Sequence, residues 1–127
     1  MQHTPSEHTG WDPSGNEHFT GEVWNARLEE GHEGITLLGV QFAPGARSHW
    51  HSHPGGQTLY VISGAGLVQT EDGTTKEISA GDTVHAPPGE VHWHGAKPDS
   101  PLMHLALNVR GATEWRDEVS DSDYNRR

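Results

Sequence analysis

The chain has 127 residues, a size that fits one domain, and its eight basic and 18 acidic residues give a net charge of −10. A charge of this sign argues against nucleic acid or an anionic membrane surface as a partner, because like charges repel. The absence of cysteine excludes disulfides, thiolate zinc sites and a cysteine nucleophile, and no stretch has the length of a membrane span.

The N-terminal residues 1–17 are polar and rich in glycine, proline and serine. They predict a flexible arm, followed by a single domain over residues 18–127. The arm has neither a basic start nor an apolar run, so it is not a secretory signal. We therefore expect a soluble, cytoplasmic protein.

Short apolar runs alternate with glycine and proline turns from residue 19 to residue 109. The predicted strands are Phe19–Leu28, Ile35–Ala43, Ser48–Ser52, Thr58–Ile62, Leu67–Thr70, Thr75–Ile78, Thr83–Ala86, Val91–His94 and Leu102–Val109. Many short strands at this spacing are typical of an antiparallel sandwich or barrel. In the tail, Trp115 and Val119 are four residues apart, which predicts one short helix with both on the same face.

Eleven histidines are an unusual number for a chain of this length. Because side chains alternate between the two faces of a strand, His51 and His53 share a face, as do His92 and His94. His104 lies on the face of its strand opposite an apolar one. Imidazoles on one face of several strands indicate a barrel with a polar interior.

Two imidazoles two residues apart on a strand, as at His51 and His53, can bind one transition-metal ion. A pair of this kind is also common where surface histidines flank a turn, so it does not identify a site by itself.

The residues around these histidines resemble the two motifs of the cupin superfamily. The first motif is matched by Gly45, His51, His53, Gln57 and Gly64, and the second by Gly81, Pro87, Gly89 and His92, with Ala96 where the family usually has asparagine. The resemblance covers residues 19–110. It implies an all-β double-stranded β-helix, or jelly-roll barrel, here with a short C-terminal helical tail. It also implies one divalent metal held by His51, His53, Gln57 and His92.

Gln57 stands where most cupins have glutamate. An amide oxygen can ligate a metal but brings no charge, so the site is more electropositive by one unit and better suited to stabilise negative charge on a substrate. The alternative is that Gln57 only forms a hydrogen bond in the core and that water takes its place.

The base must then come from another residue, and His104 and His94 are the candidates on inward faces. Each can instead be a core histidine bound to a backbone carbonyl, or a support for the metal ligands. We favour His104, because Ala106 and Asn108 leave room beside it, and we expect its pKa to lie near neutrality. His49 is expected at the barrel mouth.

Three segments, "HSHPGGQTLYVISGAG", "PPGEVHWHGA" and "MHLAL", resemble more closely the small bacterial single-domain cupins that include manganese-dependent (R)-selective hydroxynitrile lyases. This resemblance implies Mn²⁺, with Fe²⁺, Ni²⁺, Cu²⁺ and Zn²⁺ as alternatives, and His104 as the proton acceptor. The pocket positions of that group fall on Val40, Ser48, His94, Asn108 and Leu38. Asn108 and Leu38 differ from the residues of those lyases and narrow or repolarise the pocket.

Three functions follow as hypotheses, each with a small-molecule substrate. The first is a metal-dependent lyase that cleaves cyanohydrins, the second a cupin dioxygenase, and the third a metal-containing binding or sensor protein. A glutamine at position 57 favours the first over the second, because glutamate dominates at this position in dioxygenases. A homodimer is expected by analogy with other small cupins.

Overall fold

The computed structural model describes residues 1–127. Its twelve strands are β1 (Asp12–Pro13), β2 (Phe19–Thr20), β3 (Val23–His32), β4 (Ile35–Phe42), β5 (Arg47–Ser48), β6 (His51–Ser52), β7 (Gln57–Thr70), β8 (Thr75–Ser79), β9 (Thr83–Ala86), β10 (His92–Ala96), β11 (Leu102–Val109) and β12 (Glu114–Trp115). The main path of the curled sheet is β1-β3-β4-β11-β7-β10-β5-β2, and every strand pairing is antiparallel. The predicted all-β jelly-roll architecture is confirmed.

Strand β7 is the spine of this sheet. Its first half pairs with β9 and β11, and its second half pairs with β8 and β10. The sequence predicted two separate strands here, but Gly64 (φ +82°) bends the chain without ending it. A side chain at Gly64 would place its Cβ 1.9 Å from the carbonyl oxygen of Pro101, so the bend requires glycine.

The barrel interior has an apolar end and a polar end. Val61, Phe42 and Leu102 belong to a buried apolar cluster of 11 residues. The inward positions of β11 then run from Leu102 through His104 to Asn108. Along β11 the interior therefore changes from apolar at Leu102 to polar at Asn108, and members of the apolar cluster such as Phe42 pack directly against the His104 ring.

The predicted short C-terminal helix is present, but it begins later in the tail than the spacing of Trp115 and Val119 indicated. Trp115 lies in β12, where its backbone pairs with that of His51, and Val119 precedes the helix. The helix α1 (Asp121–Tyr124) is a single turn that begins after Ser120, whose side chain accepts a hydrogen bond from the Asp123 N–H at 3.1 Å. Pairing with β6 and this N-cap together move the helix to the end of the chain.

Arg47 fixes the tail to the outside of the barrel. Its guanidinium donates to the carbonyl oxygen of Val119 and to Asp121, both at 2.9 Å, and lies 4.3 Å from the ring centroid of Tyr124. The Tyr124 hydroxyl in turn donates to the Ala96 carbonyl at 2.6 Å. Tyr124 and Val119 also bury Trp93 in a second apolar cluster.

The last part of the N-terminal arm contacts the sheet. Asp12–Pro13 pair with β3, and the ring of Trp11 lies so close to Gly39 that a Cβ there would come within 2.7 Å of it. The division of the chain at residue 17 stays a prediction. The structure contains no helix with the length and apolar character needed to cross a membrane.

Replacing Tyr124 by phenylalanine removes the hydroxyl that satisfies the Ala96 carbonyl and keeps the ring. We expect the free energy of unfolding to fall by about 1–2 kcal/mol, the usual effect of losing one buried hydrogen bond. Urea denaturation measures this loss. Ser79→Ala is the control for loss of a hydroxyl, because Ser79 is exposed on β8 and lies outside the sheet face formed by β4, β11 and the first half of β7. Equal losses in both variants would contradict the role of the hydroxyl.

Candidate metal centre

Three of the four predicted ligands meet across two short strands. In the pairing of β6 with β10, His51 lies opposite His92, and His53 follows directly after β6. One ligand nitrogen from each of these three buried histidines lies within 4.8 Å of the other two. The structure therefore brings together residues that are about 40 positions apart in the sequence.

Gln57 joins this group because the chain reverses direction over residues 54–56. A Cβ at Gly55 would lie 1.5 Å from the Val109 carbonyl oxygen, and Gly56 has a φ of +82°. Only glycine fits both positions. The reversal starts β7 at Gln57, whose Oε1 lies 3.0 Å from Nε2 of His92.

Hydrogen bonds at Nδ1 set the tautomer of two histidines. His51 Nδ1 lies 2.8 Å from the His49 carbonyl oxygen, and His92 Nδ1 lies 2.9 Å from that of Glu90. Carbonyl oxygens only accept, so Nδ1 carries the proton of each neutral ring and Nε2 presents a free lone pair. His49 thus contributes its backbone, and its ring is not among the clustered nitrogens.

His53 is positioned by a hydroxyl. Its Nδ1 lies 3.2 Å from Oγ1 of Thr113, and its buried Nε2 has no hydrogen-bond partner. Thr113 was not identified in the sequence, because no local pattern connects it to a residue 60 positions earlier. An unpartnered buried nitrogen beside two others is what a bound cation would satisfy.

The contact between Gln57 and His92 is a second indication that a cation binds here. Gln57 Nε2 donates to Asn108 Oδ1 at 2.9 Å, which turns Oε1 toward His92. Since the His92 proton is on Nδ1, its Nε2 and the Gln57 oxygen are two acceptors facing each other at 3.0 Å. A positive ion between them would turn this repulsion into two bonds, so the residues fit a divalent metal.

Burial keeps these rings neutral. Desolvation, followed by the neighbouring His92, lowers the pKa of His51 well below its usual value and that of His53 to about 4. Desolvation also lowers the pKa of His92. Neutral imidazole is the form that ligates a metal.

His94 and His104 form a second, deeper pair. Both are buried, and His104 Nε2 lies 2.9 Å from His94 Nδ1, so one proton lies between the rings. The His94 ring centroid is 5.1 Å from that of His51, which places His94 beside the cluster. The outer nitrogens, Nε2 of His94 and Nδ1 of His104, have no partner.

The pKa expected for the base is wrong. Burial lowers the pKa of His104 to about 4, and burial with the neighbouring His104 lowers that of His94 well below its usual value. The expectation placed both rings on inward faces but used the ordinary pKa of imidazole and left out the cost of desolvation. Both rings are therefore neutral at pH 7, and the same desolvation makes each a weaker base.

Two of the predicted pocket residues, Val40 and Ser48, neighbour this pair. Across β4 and β11, Val40 is opposite His104 and Leu38 is opposite Ala106. The Ser48 hydroxyl accepts a hydrogen bond from the His94 backbone N–H at 3.2 Å. Val40 and Ser48 are buried, while Leu38 and Asn108 are half-buried.

A cavity of about 360 Å³ extends to two of the proposed metal ligands. Gln57 and His92 are the only predicted site residues that line it. Sequence reasoning also missed Trp115, whose ring centroid lies 4.8 Å from that of His51. Its position follows from the pairing of β12 with β6. This pairing was not predicted, because the tail was interpreted as a helix.

Comparison with known proteins agrees with this geometry. The Cupin domain family matches residues 39–108. A protein named (R)-mandelonitrile lyase, from Granulicella tundricola, is 44% identical over 113 residues, which cover 85% of this chain and 86% of that protein.

Two solved structures show the same fold. A cupin-like protein from Thermotoga maritima has a TM-score of 0.85 and 41% identity, covering 88% of this chain and 89% of its own. A polyketide cyclase from Streptomyces resistomycificus has a TM-score of 0.78 at 18% identity, covering 98% and 90%, and is similar in fold alone.

His51→Ala and His92→Ala each remove one of the converging nitrogens. We expect metal affinity to fall by at least about 100-fold, because losing even an outer partner of a ligand costs about 10–100-fold. Elemental analysis after dialysis against one equivalent of Mn²⁺ measures the bound metal. His32→Ala, at an exposed histidine, is the control. Full occupancy in the two site variants would show that the ligands are elsewhere.

Proposed function

This chain belongs to the cupin family, and on that premise we propose that it is a metal-dependent lyase that cleaves cyanohydrins to an aldehyde and cyanide. The observation that carries the proposal is a set of four converging side chains, none of which brings a charge. The 44% identity to a protein named (R)-mandelonitrile lyase supports it. The expectation of a cytoplasmic protein stays a prediction.

The proposed ligands are Nε2 of His51, His53 and His92, with Oε1 of Gln57. We assign Mn²⁺ as the metal, with Fe²⁺, Ni²⁺, Cu²⁺ and Zn²⁺ as alternatives, because imidazole and amide oxygen accept all of them. When bound, the metal would act as a Lewis acid that stabilises negative charge on a substrate oxygen. None of its four ligands is a carboxylate, so its +2 charge would not be reduced by the protein. Asn108 keeps the Gln57 oxygen turned inward.

The proposed base is the His94–His104 pair. The unpartnered Nε2 of His94 accepts the proton of the substrate hydroxyl, and His94 passes its Nδ1 proton to Nε2 of His104, 2.9 Å away. The proton stays on the pair only while the carbon–carbon bond breaks and cyanide leaves with its electron pair, and it then returns through His94 to cyanide, because the low pKa of the buried rings favours its release. Ser48 orients His94 through its backbone N–H. No step of this reaction changes an oxidation state.

Metal-loaded protein is expected to release benzaldehyde from (R)-mandelonitrile under strictly anaerobic conditions, because the proposed reaction uses no oxygen. His104→Gln should lower kcat/KM by about 10²–10⁴-fold, the usual contribution of a general base. Absorbance of benzaldehyde follows the reaction, and His32→Gln is the control for a general effect of losing a histidine.

Metal content and thermal unfolding of His104→Gln are measured alongside, so that loss of the site is distinguished from loss of the base. Turnover that requires oxygen would contradict the lyase and favour the dioxygenase. Metal binding without turnover of any cyanohydrin would favour a binding or sensor protein.

We also propose a homodimer formed through the outer face of β4, β11 and the first half of β7. This outer face carries partly exposed apolar side chains, namely Ile35, Tyr60, Ile62, Leu107 and Val109. In the strand register Val109 is opposite Ile35, and Leu107 is next to Thr58. Several exposed apolar side chains on one face of a sheet are typical of a protein–protein contact, and a second copy presents the same face to it.

Light scattering is expected to give twice the chain mass of 13.9 kDa for the natural protein and a monomer for Leu107→Glu, because a buried charge disfavours the contact. Ser79→Glu, at an exposed position on β8, should remain dimeric. A monomeric natural protein would contradict the proposal.

A further inference from the structure

The barrel wall is open between two strands. Strands β8 and β9 each pair with β7 alone, so the edges that face away from β7 have no strand partner. The 360 Å³ cavity opens between them and continues inward to the metal ligands. We call this opening the β8–β9 cleft. A volume of this order is typical of small-molecule sites.

The wall of the cleft combines apolar side chains with polar ones such as Thr70 and Thr74, and its floor is polar. Leu59 and Val68 come from the two halves of β7, and Val84 comes from β9. Val84 also packs against the buried core, which fixes its side chain. The floor is made by Gln57 and His92. A ligand that fits has an apolar body and one polar end that reaches the floor.

The rim carries charges of both signs. Lys76 and Glu90 line the opening together with Asp72, whose carboxylate already accepts hydrogen bonds from Thr70 and Thr74. His85 also lines the opening, and a rim with basic and acidic groups together creates no field of a single sign that would attract an ion. The cleft therefore suits a neutral ligand.

We propose that the β8–β9 cleft is the site that binds the apolar group of the substrate, a neutral aldehyde or its cyanohydrin with an aryl or branched alkyl group. The polar end lies at Gln57 and His92, and Val68 and Val84 determine which side groups fit. This inference rests on the proposed function. It assigns specificity to residues other than Leu38, Val40, Ser48 and Asn108, none of which lines the cleft.

The test places a bulky group at the rim and measures binding. The chain has no cysteine, so Lys76→Cys can be labelled selectively with a pyrene maleimide. Binding of a fluorinated benzaldehyde to the metal-loaded protein is followed by fluorine NMR, which requires no turnover. The label should weaken binding roughly tenfold or more relative to unlabelled Lys76→Cys, as expected when a pocket loses apolar contacts.

Asp99→Cys with the same label is the matched control, because Asp99 lies in the exposed turn between β10 and β11, and its affinity should not change. Metal content is measured in all variants. Equal affinity in labelled and unlabelled Lys76→Cys would overturn the cleft proposal, as would a natural protein that does not bind the probe. If the label at position 76 weakens binding but the protein cleaves no cyanohydrin, the lyase proposal is refuted and the cleft proposal is supported.

Discussion

The site depends on the register that sets His51 opposite His92. Side chains alternate along a strand, so a slip of one residue in β6 would turn both His51 and His53 away from the barrel interior. Strand β6 has only two residues, too few to hold a register by itself. It is held on both edges, by β10 on one side and by β12 on the other, where Trp115 pairs with His51. The C-terminal tail is therefore part of the support of the metal centre.

A barrel with imidazoles inside must place its stabilising apolar packing elsewhere. One cluster, which includes Phe42 and Val61, packs inside the barrel up to the rings of His94 and His104, and another lies outside the sheet, where Trp93 is covered by the tail. The Trp93 indole donates to Gln69 at 2.8 Å, so this second cluster also leaves no unsatisfied donor there. This arrangement allows five inward histidines in a domain with few large apolar residues. Desolvation keeps the five neutral, and the unpartnered Nε2 atoms of His53 and His94 remain available to a metal and a substrate.

Period two and motif spacing were sufficient to predict most strands and the histidines that point inward, because both are local properties of the chain. The continuity of β7 was not predicted, because a glycine within an apolar run usually indicates the end of a strand. Its tight approach to Pro101 appears only when distant segments meet. Thr113 and Trp115 were missed for the same reason, since each acts on a residue more than 50 positions away. The cleft was not predictable either, because no local pattern shows which strand edges stay unpaired.

Gln57 and Asn108 are best understood as one feature. The Asn108 oxygen accepts a hydrogen bond from the Gln57 amide nitrogen, and this bond is what turns the Gln57 oxygen toward His92. A glutamate at position 57 would offer no such donor, and Asn108 would have to reverse its own amide to face it. A glutamine without Asn108 could rotate its amide nitrogen toward the His92 lone pair, which would satisfy His92 and remove a ligand from the metal site. The inward direction of the Gln57 oxygen therefore depends on this hydrogen bond between the Gln57 and Asn108 side chains.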